Sequence, residues 1–138
     1  MFSLGAAITW GLVYTIDQSI LRSASPFALL FVDSVCTSLL LLPFAFASNK
    51  PLAALWMMPG TGRLLIVASL ALAALANFFI FSSIQMSTAT TASVFEICYP
   101  FFVVLFSFLI FRTRPTLSFL IGALFIFAGG AIIIAFHR

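Results

Sequence analysis

The chain has 138 residues, of which 64% are apolar and only 7% are charged, and its mean hydropathy is +1.28. This composition excludes a soluble domain of that length and is typical of a polytopic membrane protein. The formal charge of +3 comes from six Lys and Arg residues, all at the edges of apolar runs, a distribution that does not fit a nucleic-acid-binding protein.

Five apolar runs are long enough to cross a bilayer core of ~30 Å as helices. They cover residues 2–21, 27–47, 63–84, 90–111 and 117–136. The sequence therefore predicts an all-α fold, a bundle of five transmembrane helices that forms one domain over residues 1–138.

The first run carries Trp10, Tyr14 and Asp17 at i, i+4 and i+7, which places them on one helical face. Packing is the commoner role of such an aromatic stripe, and a ligand-binding face is the alternative. Asp17 is followed by Gln18 near the end of the run, so we expect both at the membrane interface.

The middle runs each contain one strongly polar residue. Asp33 lies about two turns into the second run, and Asn77 lies in the alanine-rich third run. Small residues at this density let helix backbones approach closely, so the third run is expected to face other protein rather than lipid.

The fourth run holds Glu96 and, one turn later, Pro100. A carboxylate inside a spanning helix costs roughly 2.5–3.5 kcal/mol on insertion scales, so such residues usually serve a function. Pro100 removes one helical hydrogen bond and is expected to kink the helix beside Glu96. Ser87 or Thr88 is the expected cap of this helix.

Four of these polar residues are predicted to lie at one depth, because a helix rises 1.5 Å per residue. Asp33 and Glu96 are each roughly 9 Å from the outer end of their spans, and Asn77 and Tyr14 about 10 Å. This common level suggests a polar site displaced toward the outer face of the membrane. A network of interhelical hydrogen bonds that only holds the bundle together is the alternative.

No lysine or arginine lies at that depth, so two carboxylates without a countercharge are expected to hold protons or to pair with a cationic substrate. This chemistry suits proton-coupled movement of a cation or zwitterion. The sequence has no Ser–His pairing, metal-ligand cluster or phosphate loop, so we expect no enzyme, no metal and no cofactor.

The basic residues predict the orientation, because cytoplasmic loops carry more of them. Four flank one side of the membrane together with the N-terminus, and two flank the other: Lys50, Arg63, Arg112 and Arg114 against Arg22 and Arg138. We therefore expect the N-terminus in the cytoplasm and the C-terminus outside.

Several short motifs resemble the EamA domain of the drug/metabolite transporter superfamily. They are AITWG at residues 7–11, Ser25-Pro26 at the start of the second run, residues 74–102 ending in Tyr99-Pro100-Phe101-Phe102, IGA at 121–123, and Gly129-Gly130. The similarity covers nearly the whole chain. In two places the chain departs from the pattern: the family often has arginine where Asp33 stands, and glutamate near residues 112–114.

The resemblance implies a transporter of small organic molecules, often an exporter, in the cell (inner) membrane. The family joins two five-span halves of opposite orientation, so this single half is expected to form a homodimer or to pair with a similar half. Inverted repeats place the substrate near the midplane at the repeat interface. The glycines of the fifth run are the expected close interface: Gly122, Gly129 and Gly130.

The predicted function is export of small metabolites or of cationic or zwitterionic compounds, with the lipid bilayer and a small-molecule substrate as partners. The predicted substrate- and proton-binding residues are Glu96, Asp33, Asn77, Tyr14, Trp10 and Tyr99, with Pro100 at the helix kink. Two alternatives remain: an accessory or scaffolding membrane subunit without transport, and a carrier of a lipid-linked substrate.

Overall fold

A computed structural model describes residues 2–47 and 52–136, and every regular element in these ranges is a helix. The long helices are α1 (Phe2–Ile20), α2 (Pro26–Ala47), α4 (Gly60–Met86) and α7 (Leu117–Phe136), and the short ones are α3 (Ala53–Trp56), α5 (Ala89–Glu96) and α6 (Tyr99–Phe111). The predicted all-α class is therefore confirmed. Lys50 and Arg138, which enter the predicted orientation, lie outside the described residues.

Four stretches of the described chain are long and apolar enough to cross a membrane: Pro26–Ala47, Gly60–Met86, Ala89–Phe111 and Leu117–Phe136. They agree with the last four predicted spans, although the stretch from Gly60 is longer than predicted at both ends. At 27 residues it extends roughly 40 Å, which exceeds the ~30 Å hydrocarbon core. The first run forms helix α1 but is not among the four, because Asp17 and Gln18 in its last turns make it more polar. The count of five spans is thus not confirmed.

Several hydroxyl side chains of α1 and α2 hydrogen-bond within their own helices. Thr9 and Thr15 donate to the carbonyls of Gly5 and Gly11 at 2.9 and 2.8 Å. In α2, Ser34 and Ser38 donate in the same way to carbonyls four residues earlier, both at 2.7 Å. This back-bonding allows polar residues in apolar helices without a partner from another helix.

Side-chain caps define where several helices begin. Thr88 caps α5, because its hydroxyl accepts a hydrogen bond from the Thr91 N–H at 3.1 Å, so the predicted cap is confirmed. Ser25 accepts from the Ala28 N–H at 3.2 Å, and Pro26 then occupies the first turn of α2.

The described residues divide into two compact units. Unit 1 comprises the chain up to Ile16 and from Met86 onward, and unit 2 comprises Asp17–Gln85. In unit 1, α5 packs on α7 through small residues, and Ala89, Ala92, Ala123 and Gly130 are buried. In unit 2, Leu21, Phe81 and Ile84 form the buried core.

Candidate functional site

The predicted fourth span is interrupted directly after Glu96. Helix α5 ends at this residue and α6 begins at Tyr99. Within the break, the Cys98 N–H donates to the Phe95 carbonyl at 3.3 Å, a tighter turn than an α-helix makes. Pro100 has no N–H to donate to the Glu96 carbonyl four residues earlier, which explains why the regular pattern stops here. The sequence thus places a carboxylate at the carboxyl end of a short helix inside a membrane-spanning stretch.

A cavity of about 280 Å³ lies in unit 1 between the helix break and α7. The break contributes Ile97, Cys98, Pro100 and Phe101, and α7 contributes Ser118, Phe119, Gly122, Ala123, Ile126 and Phe127. Only the Ser118 hydroxyl and the Cys98 thiol add polarity to an otherwise apolar lining. The volume of the cavity is close to the lower limit for pockets that hold small organic ligands.

Four predicted site residues belong to unit 1. Trp10 and Tyr14 are neighbours on α1, with ring centroids 5.5 Å apart. Tyr14 is buried, whereas Trp10, Glu96 and Tyr99 are exposed in the single chain. Pro100 lines the cavity, but none of these four residues is among its lining.

The two remaining predicted residues belong to unit 2. Asp33 is exposed on α2, and the Thr37 hydroxyl lies 3.5 Å from its Oδ1, a long hydrogen bond within the helix. Asn77 is half-buried on α4. The common depth of Tyr14, Asp33, Asn77 and Glu96 stays a prediction.

Asp17 was not among the predicted site residues, yet it is the buried acid of the described chain. Its side chain is only 7% exposed, and its Oδ2 has no hydrogen-bond partner among the described residues. Sequence reasoning assigned it to the membrane interface because it lies in the last turn of α1. The available signal was its position on the same face as Trp10 and Tyr14.

Gln85 joins the end of α4 to the turn between α1 and α2. Its side-chain amide donates to the backbone carbonyls of Leu21 and Ala24 at 3.0 and 3.1 Å. Both carbonyls belong to the turn that follows α1, where helix geometry leaves such groups unpaired. These bonds hold the segment around Asp17 in place within unit 2.

The three predicted glycines differ in their surroundings. A methyl group placed on Gly130 would lie 3.8 Å from Val94 Cγ1 of α5, so this glycine already packs within its own chain. Gly122 lines the cavity. A methyl group on Gly122 or Gly129 would meet no atom within 4 Å, and of these two only Gly129 lies outside the lining of the cavity.

No group of three or more His, Cys, Asp or Glu side chains that could hold a metal ion occurs in the part of the chain that the structure describes.

In a comparison with known protein families, residues 1–135 match the model of the EamA-like transporter family. Comparisons with curated proteins and with solved structures each gave no match. The family match covers nearly the whole chain, and the four apolar spans agree with a membrane protein.

Proposed function

The chain belongs to the EamA-like transporter family, and we propose that it exports small metabolites or cationic or zwitterionic compounds across the cell membrane in exchange for protons. The observation that carries this proposal is the helix break after Glu96 with a cavity beside it. Transporters commonly form their sites where a spanning helix is interrupted, because the break exposes backbone groups to the substrate.

Glu96 is the proposed proton- and cation-binding residue. It ends α5, and the carbonyl end of a helix carries partial negative charge, which adds to the attraction of the carboxylate for a cation. The apolar cavity next to it suits the hydrocarbon part of a small organic substrate. A cationic or zwitterionic compound with an apolar portion fits both features.

The proposed topology has five spans, with α1 as the first. At 19 residues α1 is roughly 28 Å long, which is close to the thickness of the hydrocarbon core. The N-terminus then lies in the cytoplasm and the C-terminus outside, with Arg63, Arg112 and Arg114 on the cytoplasmic side.

The proposed working form is a homodimer, or a pair with a similar half. In the single chain most large apolar side chains of the spans are exposed, from Phe31 on α2 to Phe125 on α7. Lipid covers part of such a surface, and a second half of opposite orientation would supply the other wall of a translocation path.

The apolar lining of the cavity favours one second candidate, a carrier of a lipid-linked substrate whose chain occupies the cavity. Such a substrate enters sideways from the bilayer rather than from water.

The test is a transport assay in proteoliposomes that trap a pH-sensitive dye. We expect a panel of amino acids and organic ammonium ions to include compounds that change the internal pH, and empty liposomes to give no change. Gly122→Leu should abolish the signal because it fills the cavity, whereas Ala131→Leu, also on α7 but exposed, should not. Equal transport by both variants would refute the role of the cavity, and binding of lipid-linked compounds alone would favour the carrier.

A further inference from the structure

Asp17 is a buried acid for which the proposed function has no use. It is more than nine-tenths buried in unit 2, and its Oδ2 lacks a hydrogen-bond partner among the described residues. An ionised carboxylate in such a place loses its hydration without gaining a countercharge, which is strongly unfavourable. The geometry therefore requires either a proton or another positive charge at this oxygen.

Asp33 on α2 is the other acidic residue of unit 2. The other charged residues of unit 2 that the structure describes are Arg22 and Arg63, and both are exposed. Helix α4 contributes the amide of Gln85 to this end of the unit, and that amide is engaged by the carbonyls of Leu21 and Ala24. Neither of these arginines is buried with Asp17.

The two aspartates of unit 2 differ in their surroundings. Asp33 is exposed, and the Thr37 hydroxyl lies 3.5 Å from its Oδ1. Asp17 is buried in the last turn of α1, where the helix carbonyls add further negative charge.

We propose that Asp17 is a second proton-binding site, distinct from Glu96, in which its buried carboxyl group holds the proton. As a carrier of the coupled proton Asp17 rests on the proposed transport function, but its protonation does not.

Infrared spectroscopy of the full-length protein in lipid bilayers tests the proposal, because a protonated carboxylic acid has its own carbonyl-stretching band. The chain contains only three side-chain carboxyls, Asp17, Asp33 and Glu96, so isotope labelling separates them without mutation. At neutral pH we expect a protonated-acid band that shifts when the protein is grown with ¹³C-carboxyl aspartate. That shift assigns the band to an aspartate.

Two variants then identify which aspartate it is. Asp17→Asn should lose the labelled band, whereas Asp33→Asn and Glu96→Gln should keep it. A wild-type band that does not respond to labelled aspartate overturns the proposal, even if Asp17→Asn fails to fold. A labelled band that survives Asp17→Asn and disappears in Asp33→Asn also overturns it. Loss of transport in Glu96→Gln with the labelled band intact would leave both proposals standing, and absence of transport in the wild type would affect only the proposed function.

Discussion

At the scale of single residues, the side-chain carboxyl groups are the acidic groups that can bind protons or cations. The chain has three of them, and all three lie within helices. Each occupies a different environment: Glu96 ends α5 at a helix break, Asp33 is exposed on α2, and Asp17 is buried. We therefore expect their neutral variants to have distinguishable effects.

Glu96→Gln should abolish proton-coupled transport but leave folding unchanged. Glutamine has nearly the shape of a protonated glutamic acid and can hydrogen-bond, but it cannot release a proton. The measurement is substrate-driven pH change in proteoliposomes, with circular dichroism and gel filtration as controls of folding. Wild-type transport by this variant would reduce Glu96 to a structural hydrogen-bonding group.

Asp33→Asn should weaken substrate affinity by about tenfold or more, since a hydrogen bond to a charged group contributes roughly 1.5–3 kcal/mol. Half-saturating substrate concentration is the quantity to measure. Cys36→Ala is the matched control, because Cys36 is exposed on the same helix and has no proposed role. If both variants show wild-type affinity, Asp33 does not contact the substrate.

At the scale of helices, small residues and caps decide which surfaces can meet. Gly130 on α7 faces Val94 of α5, whereas Gly129, its neighbour in sequence, has open space above it. The two glycines were predicted together as an oligomer interface, and their surroundings now separate them.

Gly130→Leu is expected to destabilise the fold, because a leucine there must displace Val94, and overpacking typically costs about 1–3 kcal/mol. Gly129→Leu should leave the folded chain as stable as the wild type and reduce the dimer fraction instead. Unfolding in mixed detergent micelles and cross-linking in bilayers measure the two effects. If Gly129→Leu lowers stability and leaves the dimer fraction unchanged, the oligomer interface lies elsewhere.

A second prediction at this scale concerns the hydrogen bonds of Gln85. Gln85→Met keeps the length of the side chain but removes both donors to the Leu21 and Ala24 carbonyls, so we expect a loss of about 1–3 kcal/mol in unfolding free energy. The exposed neighbour Met86, changed to Leu, is the control. Equal stability of the two variants would show that water replaces the amide at the turn.

At the scale of the whole molecule, topology is the property to test first, since the hydropathy of α1 is lower than that of the four clear spans. In a background in which Cys36 and Cys98 are alanine, a cysteine at Ser23 should react with impermeant thiol reagents from outside. One at Thr113 should react only from the cytoplasmic side. Labelling of both positions from the same side would contradict an orientation in which three spans separate them.

Much of this protein is determined by the sequence itself. Composition alone requires a membrane environment. The apolar runs give three of the last four spans to within one residue and the third predicted span to within three, because the bilayer thickness fixes how many apolar residues a helix needs. Local rules also located the cap at Thr88, where one hydroxyl satisfies a free N–H without help from distant residues.

The tertiary structure decided what depends on neighbours distant in sequence. The sequence predicts a position at the membrane interface for Asp17, and only the folded chain reveals that its side chain is buried with one oxygen unpaired. In the same way, only the packing of α5 on α7 distinguishes Gly130 from Gly129, and only the position of the helix break beside α7 creates the cavity at Pro100. Periodicity assigns a residue to a helical face, but burial and cavities arise from which helices meet, and that information lies in long-range contacts rather than in local sequence.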